Sequence, residues 1–224
     1  RARRGHRYLR IMRWLVHSEK TLYADEWIDV RAAHVEQPGG RRLEHRVVRT
    51  PADAGAVVTD ARDRVLLVRR HRFITDTWAW EIPLGVVGDG EAPQAAAARA
   101  VEQETGWRPG PLRPLLAVQP SNSLMDTLRY VYRAESAAYA GPPGSPAHAG
   151  PPGSPACAGP GAPGGQVGWL PVTRIRRLVA DGEIVCGTSL SALLYVLLDR
   201  HPTVDPPFDP AGPVLLRDLP GLEP

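Results

Sequence analysis

The run from Glu81 to Trp107, EIPLGVVGDGEAPQAAAARAVEQETGW, limits what this chain can fold into more than any other stretch. Pro83 and Gly85 interrupt an apolar strand pattern, and Gly88 and Gly90 mark a loop. From Pro93 the period changes. Ala95 to Ala98 are consecutive alanines, the residue with the best helix propensity, Pro93 is tolerated in the first turn, and Gly106 supplies a stop. The run therefore predicts a strand, a tight loop and a helix over about 93–105. On that helix positions 100, 103 and 104 share a face, because residues three and four apart are neighbours. Carboxylates there would hold Mg²⁺, a hard ion that takes about six oxygens near ~2.1 Å. The chain has Ala100, Gln103 and Glu104. Glu102 is no substitute, since at about 100° per residue it points roughly 200° around the helix from position 100.

The flanking text predicts a mixed α+β domain. Residues 22–49 read as antiparallel strands turning at Pro38–Gly40, and residues 54–71 as two β-branched strands around a turn at Asp60–Asp63. Further strands are expected near 113–118, 127–134 and 166–172. A short amphipathic helix should end at Gly182. A second should begin near Ser189 as its cap, with Leu193, Leu194, Leu197 and Leu198 facing a core. Tyr8, Leu9, Met12, Leu15 and Val16 are spaced like one face of a docking helix.

Three segments stand apart. Residues 1–20 carry seven basic side chains against Glu19, while the remainder has 20 basic and 23 acidic residues. The net charge of +3 is thus the work of an N-terminal arm. Such an arm can touch nucleic acid or an acidic surface, but a solvated leader is the favoured reading and no nucleic-acid partner is expected. Residues 140–165 repeat AGPPGSPA(H/C) twice and hold almost nothing apolar to bury, which predicts an extended insert; a Pro-rich recognition ligand is the alternative. Residues 201–224 form a Pro-rich tail. The domain proper then spans 21–200. Cys157 and Cys186 have no partner at metal-ligand spacing and make no disulfide framework, which fits a reducing cytoplasm. No apolar run approaches the ~18 residues of a membrane span.

The stretch from Gly85 to Trp107 resembles the Nudix box: Gly, five residues, Glu, seven residues, then Arg-Glu-apolar-any-Glu-Glu-any-Gly-apolar. Gly85, Glu91, Arg99, Val101, Glu104, Gly106 and Trp107 match; Ala100 and Gln103 do not. RRLEHRVV, VLLVRRHRF, DTWAWEIP and PSNSLMD are similar to the Nudix branch that cleaves ADP-ribose and other nucleoside diphosphate sugars. The resemblance implies an α/β/α sandwich with a mixed sheet, preceded by an antiparallel β region. It implies Mg²⁺ (or Mn²⁺) as cofactor, held by Glu104, Gln103 and the Leu84 carbonyl, with Glu91 and Arg99 bracing loop against helix. It places Arg70, Arg72 and Asp126 on the substrate side, and a homodimer through the N-terminal strands; Trp27, Trp78 and Trp80 are aromatic candidates to stack a base or ribose. Surface charge is the alternative for Arg70 and Arg72, core packing for Trp27, Trp78 and Trp80, and a solvated helix position for Glu104.

Relatives of this branch also carry acids just ahead of the strand that here reads QVGWLPV, and this sequence has no Asp or Glu between Glu135 and Asp181. Two readings follow. One is a Mg²⁺-dependent hydrolase of a nucleoside diphosphate sugar with impaired activity. The other is a Nudix fold that binds a nucleotide or a partner without turnover.

Overall fold

The structure, a computed structural model, describes residues 13–144 and 165–198. These fall into two compact units. Among the described residues the first unit holds 13–50 and Ser121–Thr127. Its sheet is a meander of β1 (Leu15–Ala24), β2 (Asp29–Glu36) and β3 (Arg42–Arg49), paired antiparallel. The β2–β3 turn falls at the predicted place, where Gly39 and Gly40 have φ of 101° and 86°. Only glycine enters that region at no steric cost. The segment Ser121–Thr127 is tied to β3 by Val48 N–H donating to Leu124 O at 2.8 Å.

The docking helix does not form where it can be seen. Leu15 and Val16 open β1, pairing with Glu36 and Val35. A short isolated helix is marginal in water, and the β1–β2 ladder satisfies every second backbone group instead. Residues 8–12 lie outside the described residues, as do 145–164 of the insert and the tail 201–224. Leu15–Lys20, the end of the basic arm, are the first half of β1.

The second unit is built on β4 (Asp53–Val58), β5 (Arg64–Arg72), β6 (Thr77–Glu81), β7 (Leu84–Val86), β8 (Trp107–Pro109), β9 (Arg113–Val118), β10 (Arg129–Ala134), β11 (Ala137–Tyr139) and β12 (Gln166–Pro171). One sheet runs β7-β4-β10-β9, with β4 and β10 parallel; β12-β5-β6 and β11-β8 are antiparallel. The helices are α1 (Pro93–Thr105), α2 (Ile175–Ala180) after a 3₁₀ turn at Val172–Arg174, and α3 (Gly187–Leu198).

Strand alternation sends successive residues to opposite faces, which explains the layers. Ala54, Ala56 and Val58 of β4 and Leu66 of β5 pack with Ala96, Ala97 and Val101 of α1. Val57, Val65 and Leu67 pack on the other side with Ile175, Leu178, Leu193 and Val196 of α2 and α3. The result is the sandwich with a mixed sheet that the resemblance implied. The alanines of α1 let that helix lie close to the sheet, and Ala100 touches the bare Cα of Gly85, whose added Cβ would come within 3.0 Å of it.

Two details of α3 differ from expectation. Its first residue is Gly187, so Ser189 sits inside the helix, where its hydroxyl accepts a hydrogen bond from Ile82 N–H at 3.1 Å. A buried strand end needed an acceptor there more than the helix needed a cap. Leu193 is buried, but Leu194 and Leu198 are exposed; the core stripe is Thr188, Ala192, Leu193 and Val196. Leu197 packs against the core as expected, so the buried stripe runs through Leu193 and away from Leu194 and Leu198.

Candidate active site

The loop after β7 and the first half of α1 are locked together by one ion pair. Arg99 donates from Nε to Glu91 Oε1 at 2.9 Å and from Nη2 to Oε2 at 2.7 Å, and Nη2 also reaches the Val86 carbonyl at 2.8 Å. Glu91 Oε2 takes the Gly88 N–H at 2.9 Å as well. The Arg99 guanidinium and the Gly88 amide hold the Glu91 carboxyl below its usual range. A carboxyl whose folded pKa is depressed contributes stability that is present above its unfolded pKa and is lost as pH falls through the folded one. Glu91→Gln is therefore expected to lose about 1–2 kcal/mol at pH 7. The gap to the parent should close below the unfolded value of about 4.5 in urea titrations at several pH values. A gap that stays constant with pH would show that the brace is not ionic.

The metal-facing positions look different. Ala100 is buried and offers no oxygen. The Gln103 amide oxygen accepts from Arg99 Nη1 at 3.2 Å. Glu104 is 3% exposed, and Arg70, from β5, is 4% exposed beside it. Charged side chains are that deeply buried only when paired. The guanidinium meets the carboxylate edge-on, Nη1 to Oε1 at 2.9 Å and Nη2 to Oε2 at 2.6 Å. Leu84, expected to aim its carbonyl at an ion, gives its N–H to Glu104 Oε2 at 3.2 Å. Burial pushes the Glu104 carboxyl above its usual range, while the Arg70 charge and the Arg70 and Leu84 hydrogen bonds pull it back.

A further carboxylate completes the cluster. Glu81, at the end of β6, is 5% exposed. It accepts from Arg72 Nε at 2.9 Å and from Arg72 Nη2, and its Oε2 lies 3.5 Å from Arg70 Nε. The four side chains thus alternate in sign: Arg72, Glu81, Arg70, Glu104. Sequence reasoning did not single out Glu81. The usable signal was strand period: Arg70 and Arg72 share one face of β5, and Glu81 lies opposite Val68, which has the same parity.

The remaining expected site residues lie in the first unit. Trp27 is half-buried in the β1–β2 loop, its Nε1–H on Glu26 Oε1 at 2.9 Å. Asp126 is exposed and accepts from Arg49 Nε at 2.7 Å. Trp78, at the edge of β6, packs its ring 5.4 Å from His71, and Trp80 packs against the core. Glu102 points outward to Arg108, as its helix angle required.

This donor set does not fit a divalent ion on α1. One carboxylate remains, and its two oxygens are already committed to a cation and an amide. Among the described residues no three His, Cys, Asp or Glu side chains converge as ligands.

Known proteins share the frame nonetheless. Residues 49–150 match the NUDIX domain, and residues 14–48 match the nucleoside diphosphate sugar hydrolase N-terminal domain. A CMP-5'-(N-acetyl-N-hydroxy-3-aminopropyl)phosphonate hydrolase of Streptomyces rubellomurinus is 37% identical over 186 residues, 83% of either chain. An ADP-ribose pyrophosphatase of Bacillus subtilis is 25% identical over 53% of this chain and 64% of its own length. A mouse ADP-sugar pyrophosphatase is 30% identical over 42% of this chain and 48% of its own. The crystal structure of an ADP compounds hydrolase superposes with a TM-score of 0.66 at 16% identity, covering 83% of this chain and 93% of that one, which speaks for the fold. With the Glu91–Arg99 brace intact, the two domain matches adjoining at residues 48 and 49, and the Streptomyces enzyme matched along most of its length, the chain belongs to the Nudix hydrolase family.

Proposed function

We propose that this Nudix hydrolase acts on a nucleoside monophosphate joined through a P–O–P link to a second phosphorus acid, and that it does so slowly. Substrates of this class include a cytidylyl phosphonate and nucleoside diphosphate sugars such as ADP-ribose. The names of three relatives support the class: a CMP-linked phosphonate hydrolase, an ADP-ribose pyrophosphatase and an ADP-sugar pyrophosphatase. Water attack on one phosphorus breaks the anhydride and releases the nucleoside monophosphate and the second phosphate or phosphonate.

The observation that carries slow turnover is the buried Arg70–Glu104 pair, which leaves the box helix without a free carboxylate. Losing even residues that merely orient metal ligands costs about 10–100-fold, and here the ligands themselves are replaced. Arg72 keeps one edge toward solvent, with 39% of its side chain exposed, and is the cation we assign to the diphosphate. Mg²⁺ or Mn²⁺ is the ion the family uses, and the donors of α1 supply no site for it.

The test is a panel of CMP-linked phosphonate, ADP-ribose and other nucleoside diphosphate sugars, each with Mg²⁺ or Mn²⁺. Nucleoside monophosphate release is followed by ³¹P NMR and ligand binding by thermal shift. At least one compound should raise Tm and be cleaved at least 100-fold more slowly than by a relative with both glutamates in place. A Tm rise with no product at all favours the second reading, a nucleotide-binding protein without turnover, which the same donor set supports. No Tm rise from any compound would sink both.

A further inference from the structure

We infer that Arg70 stands in for the divalent cation: its guanidinium is a built-in positive charge that ties up the carboxylates a metal would need and keeps the site closed to ions. Three observations carry this. The first is position. Arg70 reaches across from β5 to the helix face that the box devotes to its ion, and spans Glu104 on α1 and Glu81 on β6 at 2.6 and 3.5 Å. The second is burial. All three side chains are at most 7% exposed, so no water layer is available to share that charge. A guanidinium presents a rigid planar fork that matches a carboxylate through two parallel hydrogen bonds, and it stays charged at any working pH.

The third observation is the company the cation keeps. A divalent ion held by two or three carboxylates leaves a site near neutrality. The same balance is met here with one carboxylate per guanidinium: Arg70 with Glu104, Arg72 with Glu81. A metal-ligand glutamate at position 100 would put a third anion beside this balanced set, and the chain has Ala100 packed on Gly85 there. The loss of acids at 100 and 103 and the presence of Arg70 are then one exchange, a mobile ion replaced by a covalently tethered one.

The inference concerns the same helix as the proposed function but needs no nucleotide. Mn²⁺ binding, read by electron paramagnetic resonance and by thermal shift without substrate, tests it separately. A chain that binds nucleotides but not Mn²⁺ leaves both ideas standing. The parent should show no Tm rise with millimolar Mn²⁺. Arg70→Gln frees Glu104 and opens a cavity beside it, so this variant should melt lower than the parent and recover with Mn²⁺, as any ion that binds only the folded state must stabilise it. Arg70→Gln/Glu104→Gln should lose the Mn²⁺ response. Ala100→Glu with Arg70 retained should gain none. An Arg70→Gln chain that is unfolded without Mn²⁺ and folds with it supports the inference, whereas one that ignores Mn²⁺, folded or not, overturns it. A Glu104-dependent Mn²⁺ site in the parent, or in Ala100→Glu with Arg70 in place, overturns it equally.

Discussion

Glu104→Gln should lower the free energy of unfolding by about 3–5 kcal/mol, and Arg70→Met by a similar amount, while the double variant loses much less than their sum. The reason is desolvation. Each charge has already left water, and the attraction of its partner across 2.6 Å is what offsets that. Taking away one member strands the other. Taking away both leaves a neutral contact of about the same volume. Equilibrium urea denaturation of the two single variants and the double one forms a cycle whose coupling measures the pair. Strictly additive losses would mean that the two side chains act independently, contrary to their geometry. Arg70→Met carries a second signature. Without the guanidinium, burial acts on Glu104 against only the Leu84 hydrogen bond and the Arg72 charge, and raises its pKa further. A carboxyl whose folded pKa is raised contributes stability below its unfolded pKa that is lost as pH rises through the folded one. Arg70→Met should therefore be closest to the parent in mild acid and fall away toward neutrality.

The second large effect is expected at Gly106→Ala. Gly106 ends α1 with φ of 75°, and its N–H closes the helix on Glu102 O at 2.8 Å. A non-glycine residue in that region costs about 1–3 kcal/mol. The position is also crowded, since an added Cβ would lie 2.0 Å from the Gly141 carbonyl oxygen. The segment 140–144 is held there by Ala140 N–H on Gly106 O and Gly144 N–H on Gln103 O, both at 2.9 Å. The alanine must displace these residues or distort the helix end, so the loss should exceed the conformational cost. Gly182→Ala is the control: its φ is 72°, and nothing lies within 4 Å of an added Cβ. The difference between the two variants in thermal and urea unfolding isolates the docking of 140–144. Equal losses would show that this segment yields freely.

That docking also shows where reading the chain as text stopped. The Pro- and Gly-rich repeat gave no reason to attach its first residues to α1, because the bonds run through backbone groups and carry no side-chain signal. β8 and β11 were missed on the same account. Each has three residues, too short for alternation to register.

What the sequence alone determined is local or periodic. The spacing from Gly85 to Trp107 fixed the loop and the limits of α1, and the family resemblance carried by that spacing implied the Glu91–Arg99 brace, because each depends on residues within a few turns of one another. Alternation fixed most strands and the mixed α+β class, and the resemblance implied the layered sandwich. Tertiary structure decided the partner of the last box glutamate. Arg70 and Glu104 are 34 positions apart, and no period links a residue of β5 to one of α1. Strand parity says which face Arg70 occupies, but whether that face meets water, a ligand or a carboxylate depends on which helix the sheet places over it. Packing Ala96, Ala97 and Ala100 so tightly on the sheet brought Glu104 down onto Arg70, and in that dry space two opposite charges had only each other.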